Sequence, residues 1–155
     1  MQQMYGPDAW IPGKSMTLSD RPTVVLADDH EGILRSVCEI LGDGFQIVAT
    51  VRDGIKAVEA AIDLQPDILV LDIAMPGLDG MRAAMEVKRL GLWSKLIFLT
   101  VQEDHDYVQA AHSMGASYVL KARMHIDLPV AMKEALAGRT FVSPFSSLFF
   151  PSNLK

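Results

Sequence analysis

The amino-acid sequence predicts an α/β protein built on a doubly wound, five-stranded parallel sheet in strand order 2-1-3-4-5. Three observations lead there. Five short runs dominated by Val, Ile and Leu recur between residues 23 and 120. Each is followed by a stretch whose apolar residues recur at helical spacing. Most of the runs are nearly continuous in apolar residues, the pattern of strands covered on both faces. Repeated β-then-α units imply parallel pairing, right-handed crossovers and helices on both sides of the sheet. The order 2-1-3-4-5 is common for such sheets, with ligands at the carboxyl ends of the strands.

The elements follow in order. TVVLA (23–27) is the first strand, and residues 31–42 then put Ile33, Val37, Ile40 and Leu41 on one helical face. FQIVATV (45–51) is the second strand. In residues 54–65, Ile55, Val58 and Ile62 share a side, Asp53 is placed to cap the N-terminus and Pro66 stops the helix. DILVLD (67–72) is the third strand, and a helix over 80–91 opens after Asp79 and closes near Gly91. KLIFLT (95–100) is the fourth, with a helix over 104–114 that Gly115 terminates. SYVL (117–120) is the fifth. Residues 126–137 repeat Leu128, Ala131, Met132, Ala135 and Leu136 before Gly138. Met81, Met85 and Met114 read as fillers of core gaps. His105, His112 and His125 read as helix-surface residues, and His30 as a solvated loop residue rather than a neighbour of a metal.

The 155 residues suffice for one domain with a sizeable core. Residues 1–22, aperiodic and holding Pro7, Pro12 and Pro22, read as a flexible leader, and 23–139 as the domain. Residues 140–155, apolar and rich in Pro and Ser, read as a tail or linker remnant too short for another domain. A net charge of −5 argues against nucleic-acid binding by bulk electrostatics. The single cysteine, Cys38, excludes an internal disulfide and reads as a small core residue. No apolar run reaches the ~18 residues a membrane helix needs. The N-terminus lacks the basic start and apolar stretch of a secretion signal, so a cytoplasmic location is expected.

Function should sit where the strands end. The first ends in LADDH, giving Asp28 and Asp29; the third ends on Asp72, the fourth on Thr100, and the fifth just before Lys121. A lone acid pair before a helix is usually a capping turn, and a lone Asp before a Pro-Gly turn is often a loop residue. All five polar residues at successive strand ends are a different matter, because the sheet brings them to one edge. Three crowded carboxylates repel unless a cation joins them, and hard oxygen ligands with an incomplete protein shell suit Mg²⁺. Mg²⁺, an ammonium and a hydroxyl together complement a phosphoryl group. A carboxylate can itself be the nucleophile, forming an aspartyl-phosphate. That explains why an apolar strand delivers a charge, Asp72, to its last position.

Through LADDH, LDIAMPGLDG, IFLT and GASYVLKA, the segment from Thr23 to about Pro144 resembles the receiver domain of two-component response regulators. The resemblance implies the flavodoxin-like receiver fold, with Asp72 as phosphoacceptor. It implies that Asp29, Asp72 and the backbone carbonyl of Ala74 hold Mg²⁺ directly and Asp28 through water. Lys121 and Thr100 would bind the phosphoryl group, and Thr100 and Tyr118 would form the switch, the tyrosine turning inward. GASYVLKA and EALAGRTFVSP are similar to the NarL/FixJ/LuxR class of DNA-binding regulators. In that class a linker and a helix-turn-helix domain follow VSP, whereas FSSLFFPSNLK carries no such pattern. The expectation is a receiver whose output domain was removed or lost, or a stand-alone receiver. Ala122 stands where many receivers have proline, so no cis peptide is expected after Lys121.

The expected partners are a sensor histidine kinase as phosphodonor and a second copy on phosphorylation, with DNA reached only through an output domain and no membrane contact. The chain would catalyse its own phosphorylation and dephosphorylation, regulate transcriptional output, and turn over no separate substrate. The alternative is a pseudo-receiver, an interaction module that does not use phosphate. An aspartyl-phosphate phosphatase similar to haloacid dehalogenases would carry a second Asp two residues after the nucleophile, where this chain has Ala74.

Overall fold

A computed structural model describes residue 17 and residues 20–146. The expected leader therefore lies largely outside the described residues, as does the end of the tail. The described chain runs β1 (Thr23–Ala27), α1 (Glu31–Leu41), β2 (Gln46–Val51), α2 (Gly54–Leu64), β3 (Ile68–Leu71), α3 (Gly80–Arg89), β4 (Lys95–Thr100), α4 (His105–Ser113), β5 (Ser117–Leu120) and α5 (Met124–Leu136). All pairings are parallel and the order is β2-β1-β3-β4-β5, as the sequence predicts. The chain reverses direction across the sheet between β1 and β3, so the switch point lies at their carboxyl ends.

Alternate strand residues feed two cores. Val25, Leu69, Leu71, Phe98 and Tyr118 pack with α2, α3 and α4 on one face. Val24, Leu26, Val70, Ile97 and Val119 pack with α1 and α5 on the other. Double coverage explains why β1 and β3 to β5 are almost wholly buried, while edge strand β2 is only half-buried. Each fully buried Leu, Ile or Val contributes roughly 1.5–3 kcal/mol by leaving water, so the eight buried on the first face and the eleven on the second stabilise the layers against the cost of ordering the chain.

Caps fix the helix starts. Asp53 accepts a 2.8 Å bond from Lys56 N, and Asp79 accepts one of 2.8 Å from Arg82 N. Asp104, expected inside its helix, is its cap, accepting from Asp106 N and Tyr107 N at 2.8 and 3.2 Å. Helix α5 starts two residues earlier than expected because a 3-10 turn, Lys121–Arg123, runs into it. No cis peptide occurs among the described residues.

The buried face of α2 differs from the expected one. Ile55 and Ile62 are exposed, and of the expected face Val58 alone is buried, together with Gly54, Ala57, Ala60 and Ala61. Close approach selects the small face: a Cβ on Gly54 would lie 1.7 Å from the carbonyl oxygen of Leu78. In α1, Leu34 joins Val37 and Leu41 in full burial while Ile33 and Ile40 are only half-buried. Met81 is buried and Met114 half-buried as core fillers, but Met85 points to solvent. Cys38 is half-buried beside the α1/α5 core.

After α5 the chain turns back and docks on β5. Tyr118 N donates to Phe141 O at 2.9 Å and Ser143 N donates to Tyr118 O at 2.8 Å, a single parallel bridge on the outer edge of β5. The tail reading carried no packing expectation for these residues.

Candidate functional site

The two buried acids begin from backbone still pinned to the sheet. Asp28 N donates to Val51 O at 3.0 Å, and Asp72 N donates to Ala27 O at 2.9 Å. Each ladder thus extends one residue beyond its strand, and both carboxylates emerge at the switch point, 3 % exposed. The LDIAMPGLDG loop is held by burial of Ile73 and Met75, by Gly77 at φ +73°, and by Gly80 N donating to Ile73 O at 2.8 Å. Asp29, next in the chain, is partly exposed.

Lys121 closes the pocket from β5. Its Nζ lies 2.7 Å from Asp28 Oδ2 and 3.1 Å from Asp72 Oδ2. The second contact is a hydrogen bond; the first is a close ion pair without hydrogen-bond alignment. His30 is exposed, as the solvated-loop reading expects, and it also borders this cluster. Its side chain is 67 % exposed, yet Nδ1 lies 3.2 Å from Asp28 Oδ1 and 3.1 Å from Asp29 Oδ1. Its backbone N–H also donates to Asp28 Oδ1 at 2.8 Å.

Burial, followed by repulsion from Asp28, raises the Asp72 carboxyl above its ordinary value. The Lys121 ammonium and a backbone hydrogen bond from Ala74 pull the other way. Asp72 is thus a buried carboxylate incompletely neutralised by its own surroundings.

The donor set fits a divalent cation. Ligand atoms of Asp28, Asp29, His30 and Asp72 lie within 4.8 Å of one another. Asp28 Oδ2 and Asp29 Oδ1 are buried oxygens with no hydrogen-bond partner among the described residues. Asp28 Oδ2 meets only the Lys121 ammonium and Asp29 Oδ1 only the His30 ring, neither as an aligned hydrogen bond, and a hard cation such as Mg²⁺ would complete their coordination. Ala74 is two residues past Asp72 on the exposed part of the loop.

Thr100 and Tyr118 stand apart from the acids. Register sets Thr100 level with Leu120, the residue before Lys121, so it ends at the same sheet edge. Thr100 is fully buried, and its Oγ1 accepts from Gln102 N at 3.2 Å. Tyr118 already lies inward, 0 % exposed, where an inward turn on activation was expected. Its hydroxyl donates to Gln102 O at 2.7 Å, and its ring packs between Phe98 and Phe145, with centroids 6.5 and 6.1 Å away. Burial pushes the Tyr118 hydroxyl pKa up, so it remains a donor.

The sequence reading missed a second buried polar group. Asp127 accepts from Arg123 Nε and from Ser143 Oγ, both at 2.7 Å, and Ser143 Oγ accepts from Leu120 N at 3.1 Å. Its only sequence signal was an acid on the apolar face of α5.

Several known proteins are similar to this chain in sequence and fold. The chain is 31 % identical over 123 residues to the oxygen regulatory protein NreC of Staphylococcus epidermidis, covering 77 % of this chain and 56 % of NreC. It thus spans a little over half the length of the curated relatives it matches. The receiver domain of the response regulator NarL from Mycobacterium tuberculosis superposes with a TM-score of 0.72 at 27 % identity, covering 77 % of this chain and 98 % of that domain. A DNA-binding response regulator of the LuxR family from Staphylococcus aureus superposes at 0.68 with 25 % identity, over 74 % of this chain and 98 % of that one. These similarities accord with the NarL/FixJ/LuxR class. The response regulator receiver domain family matches residues 24–131, the span that carries every acid of the pocket together with Thr100, Tyr118 and Lys121, and the chain belongs to that family.

Proposed function

We propose that this receiver domain accepts a phosphoryl group on Asp72 and passes the change to an output function, regulation of transcription in the longer relatives it resembles. The observation that carries this is the Lys121 ammonium held between two buried carboxylates, 2.7 Å from Asp28 and 3.1 Å from Asp72, at the switch point of the sheet. Asp28, Asp29, Asp72 and the backbone carbonyl of Ala74 would hold Mg²⁺. When bound, the ion neutralises the acids and the incoming phosphoryl oxygens.

The chain's own groups supply the rest. An Asp72 carboxylate oxygen attacks phosphorus while the donor's P–N or P–O bond breaks, its electrons leaving with the donor. Lys121 turns from the carboxylates to the new phosphoryl oxygens, and Thr100 donates to one of them. Thr100 and Tyr118 form the switch. The donor is a phosphohistidine of a sensor kinase in the cytoplasm, the phosphorylated form pairs with a second copy, and DNA is reached through a separate output domain. The domain catalyses only its own phosphorylation and dephosphorylation.

The test is intact mass after incubation with Mg²⁺ and acetyl phosphate. One phosphate-sized increment that is lost in Asp72→Ala is expected. No increment with acetyl phosphate or a phosphorylated kinase would identify a pseudo-receiver that works as an interaction module.

A further inference from the structure

Residues 141–146 do more than follow α5. Five sets of contacts hold this strap, one of them the Phe141 N–H donating to Ser117 Oγ at 3.0 Å. Its backbone bridges Tyr118, as described above. Ser143 Oγ joins Leu120 N to the buried Asp127 carboxylate. Phe145, 2 % exposed, packs on Tyr118 and on His105, with ring centroids 6.1 and 4.9 Å away. Ser146 is gripped by Glu103, whose carboxylate accepts from the Ser146 backbone N–H at 3.0 Å and from its hydroxyl at 2.7 Å.

Glu103 belongs to the loop between β4 and α4. That loop is also tied to both switch residues. Gln102 N donates to Thr100 Oγ1 at 3.2 Å, and Gln102 O accepts from the Tyr118 hydroxyl at 2.7 Å. One short peptide therefore touches the hydroxyl at the end of β4, the buried tyrosine and the residues that follow α5.

We infer that the Glu103–Ser146 contact is a latch, released when Thr100 turns to a phosphoryl group on Asp72, and that its release frees the strap from β5. The inference rests on the reading of Asp72 as phosphoacceptor and names the regulation of that site. Thr100 Oγ1 cannot keep the Gln102 N–H as its partner in the same geometry while it reorients toward the pocket. The 101–104 loop then shifts, and Glu103 moves away from Ser146. Two exposed hydrogen bonds to a carboxylate make a weak hold, suited to reversible release. Release uncovers the Tyr118 backbone groups and the outer edge of β5, an edge that readily takes another strand. Coupling of this kind is reciprocal: whatever loosens the strap must favour the phosphorylated form by the same factor.

Hydrogen exchange of residues 141–146, with amide shifts at Asp28 and Lys121 recorded in parallel, tests it. Beryllofluoride with Mg²⁺ serves as the phosphoryl mimic. The expected result is shifts at Asp28 and Lys121 together with a tenfold or greater loss of protection at Tyr118 and Ser143. Glu103→Gln should loosen the strap without the mimic and bind the mimic several-fold more tightly, while Glu39→Gln, on the exposed face of α1, should do neither. Shifts at Lys121 with unchanged strap protection, or a Glu103→Gln variant with wild-type mimic affinity, overturn the latch and leave the phosphoacceptor reading standing. Absence of shifts at Asp28 and Lys121 overturns that reading, and the latch with it.

Discussion

Gly80, the first residue of α3, approaches Asp72 so closely that a Cβ built on it would lie 1.8 Å from the Asp72 carbonyl oxygen. The helix start and the strand end are thus in direct backbone contact, and no side chain fits between them. In an open helix Gly→Ala stabilises by about 0.5–1 kcal/mol. Here the added methyl must push the loop away from β3, and overpacking of this kind costs about 1–3 kcal/mol. Gly80→Ala is expected to lower the urea midpoint and to weaken Mg²⁺ binding by displacing Asp72. Gly32→Ala, in α1 with nothing within 4 Å, should raise the midpoint. If the two variants move the midpoint alike, the close approach is not what fixes Asp72.

The Asp72 charge is held at a cost to folding. Burial and the neighbouring Asp28 raise its carboxyl above the ordinary 3.8, so the folded state binds that proton more tightly than the unfolded state. Stability therefore falls as pH rises from the unfolded value through the folded one, and the cost is complete above it. In metal-free protein, Asp72→Asn should be more stable than wild type at neutral pH by about 0.5–2 kcal/mol, the usual gain from relieving one functional strain. The gain should fade in acid as Asp72 takes up its proton. Urea midpoints in chelator at neutral pH and near pH 4 give the comparison. A variant less stable than wild type at neutral pH sinks the claim.

Much of this was legible in the sequence, for a physical reason. Strands covered on both faces must be apolar throughout, so β1, β3, β4 and β5 announce themselves as runs of Val, Ile and Leu, and polar residues at their ends stand out. Asp28, Asp72 and Lys121 are brought together where the strand-end pattern says they should be. Close packing was less legible. Hydrophobicity favours Ile55 and Ile62 as part of the buried face of α2, but the helix exposes both, and at Gly54 the Leu78 carbonyl leaves no room for a Cβ. The strap was hidden because one parallel bridge leaves no periodicity. His30 is solvated as expected, but nothing in the sequence says that its Nδ1 points at Asp28 and Asp29.

The strap's internal anchor makes a third prediction. Ser143 is 1 % exposed, and its hydroxyl serves both the Leu120 N–H and the Asp127 carboxylate. Ser143→Ala leaves a buried donor and a buried carboxylate oxygen short of partners, at a cost of about 1–3 kcal/mol. Ser113→Ala removes an exposed 3.1 Å bond to Gln109 O and should change stability by less than about 0.5 kcal/mol. Denaturant melts of the two variants decide whether the strap is part of the folded unit. Equal and negligible effects would mean that it is not.

Lys121 offers the sharpest test of the pocket, because it and a bound cation answer the same charges. Its ammonium is the cation within 4 Å of both Asp28 and Asp72 among the described residues, and its side chain is 9 % exposed. Lys121→Met keeps the length of the side chain and removes the charge, leaving two buried carboxylates facing one another. Removing one partner of a buried pair costs about 3–5 kcal/mol when the remaining charge finds no relief. Here Asp72 can take up a proton, so the loss in chelator at neutral pH should fall toward the lower end of that range. Mg²⁺ should reverse the ranking of effects. A cation entering the wild-type pocket must displace an ammonium, whereas in Lys121→Met it meets uncompensated charge and binds more tightly. Any ligand that prefers the folded state stabilises it in proportion to the logarithm of concentration over dissociation constant. The gain in melting temperature on adding Mg²⁺ should therefore be larger for Lys121→Met than for wild type, and it should vanish in Asp29→Ala and Asp72→Ala. An equal gain in wild type and Lys121→Met would place the ion away from the Asp28–Asp72 pair.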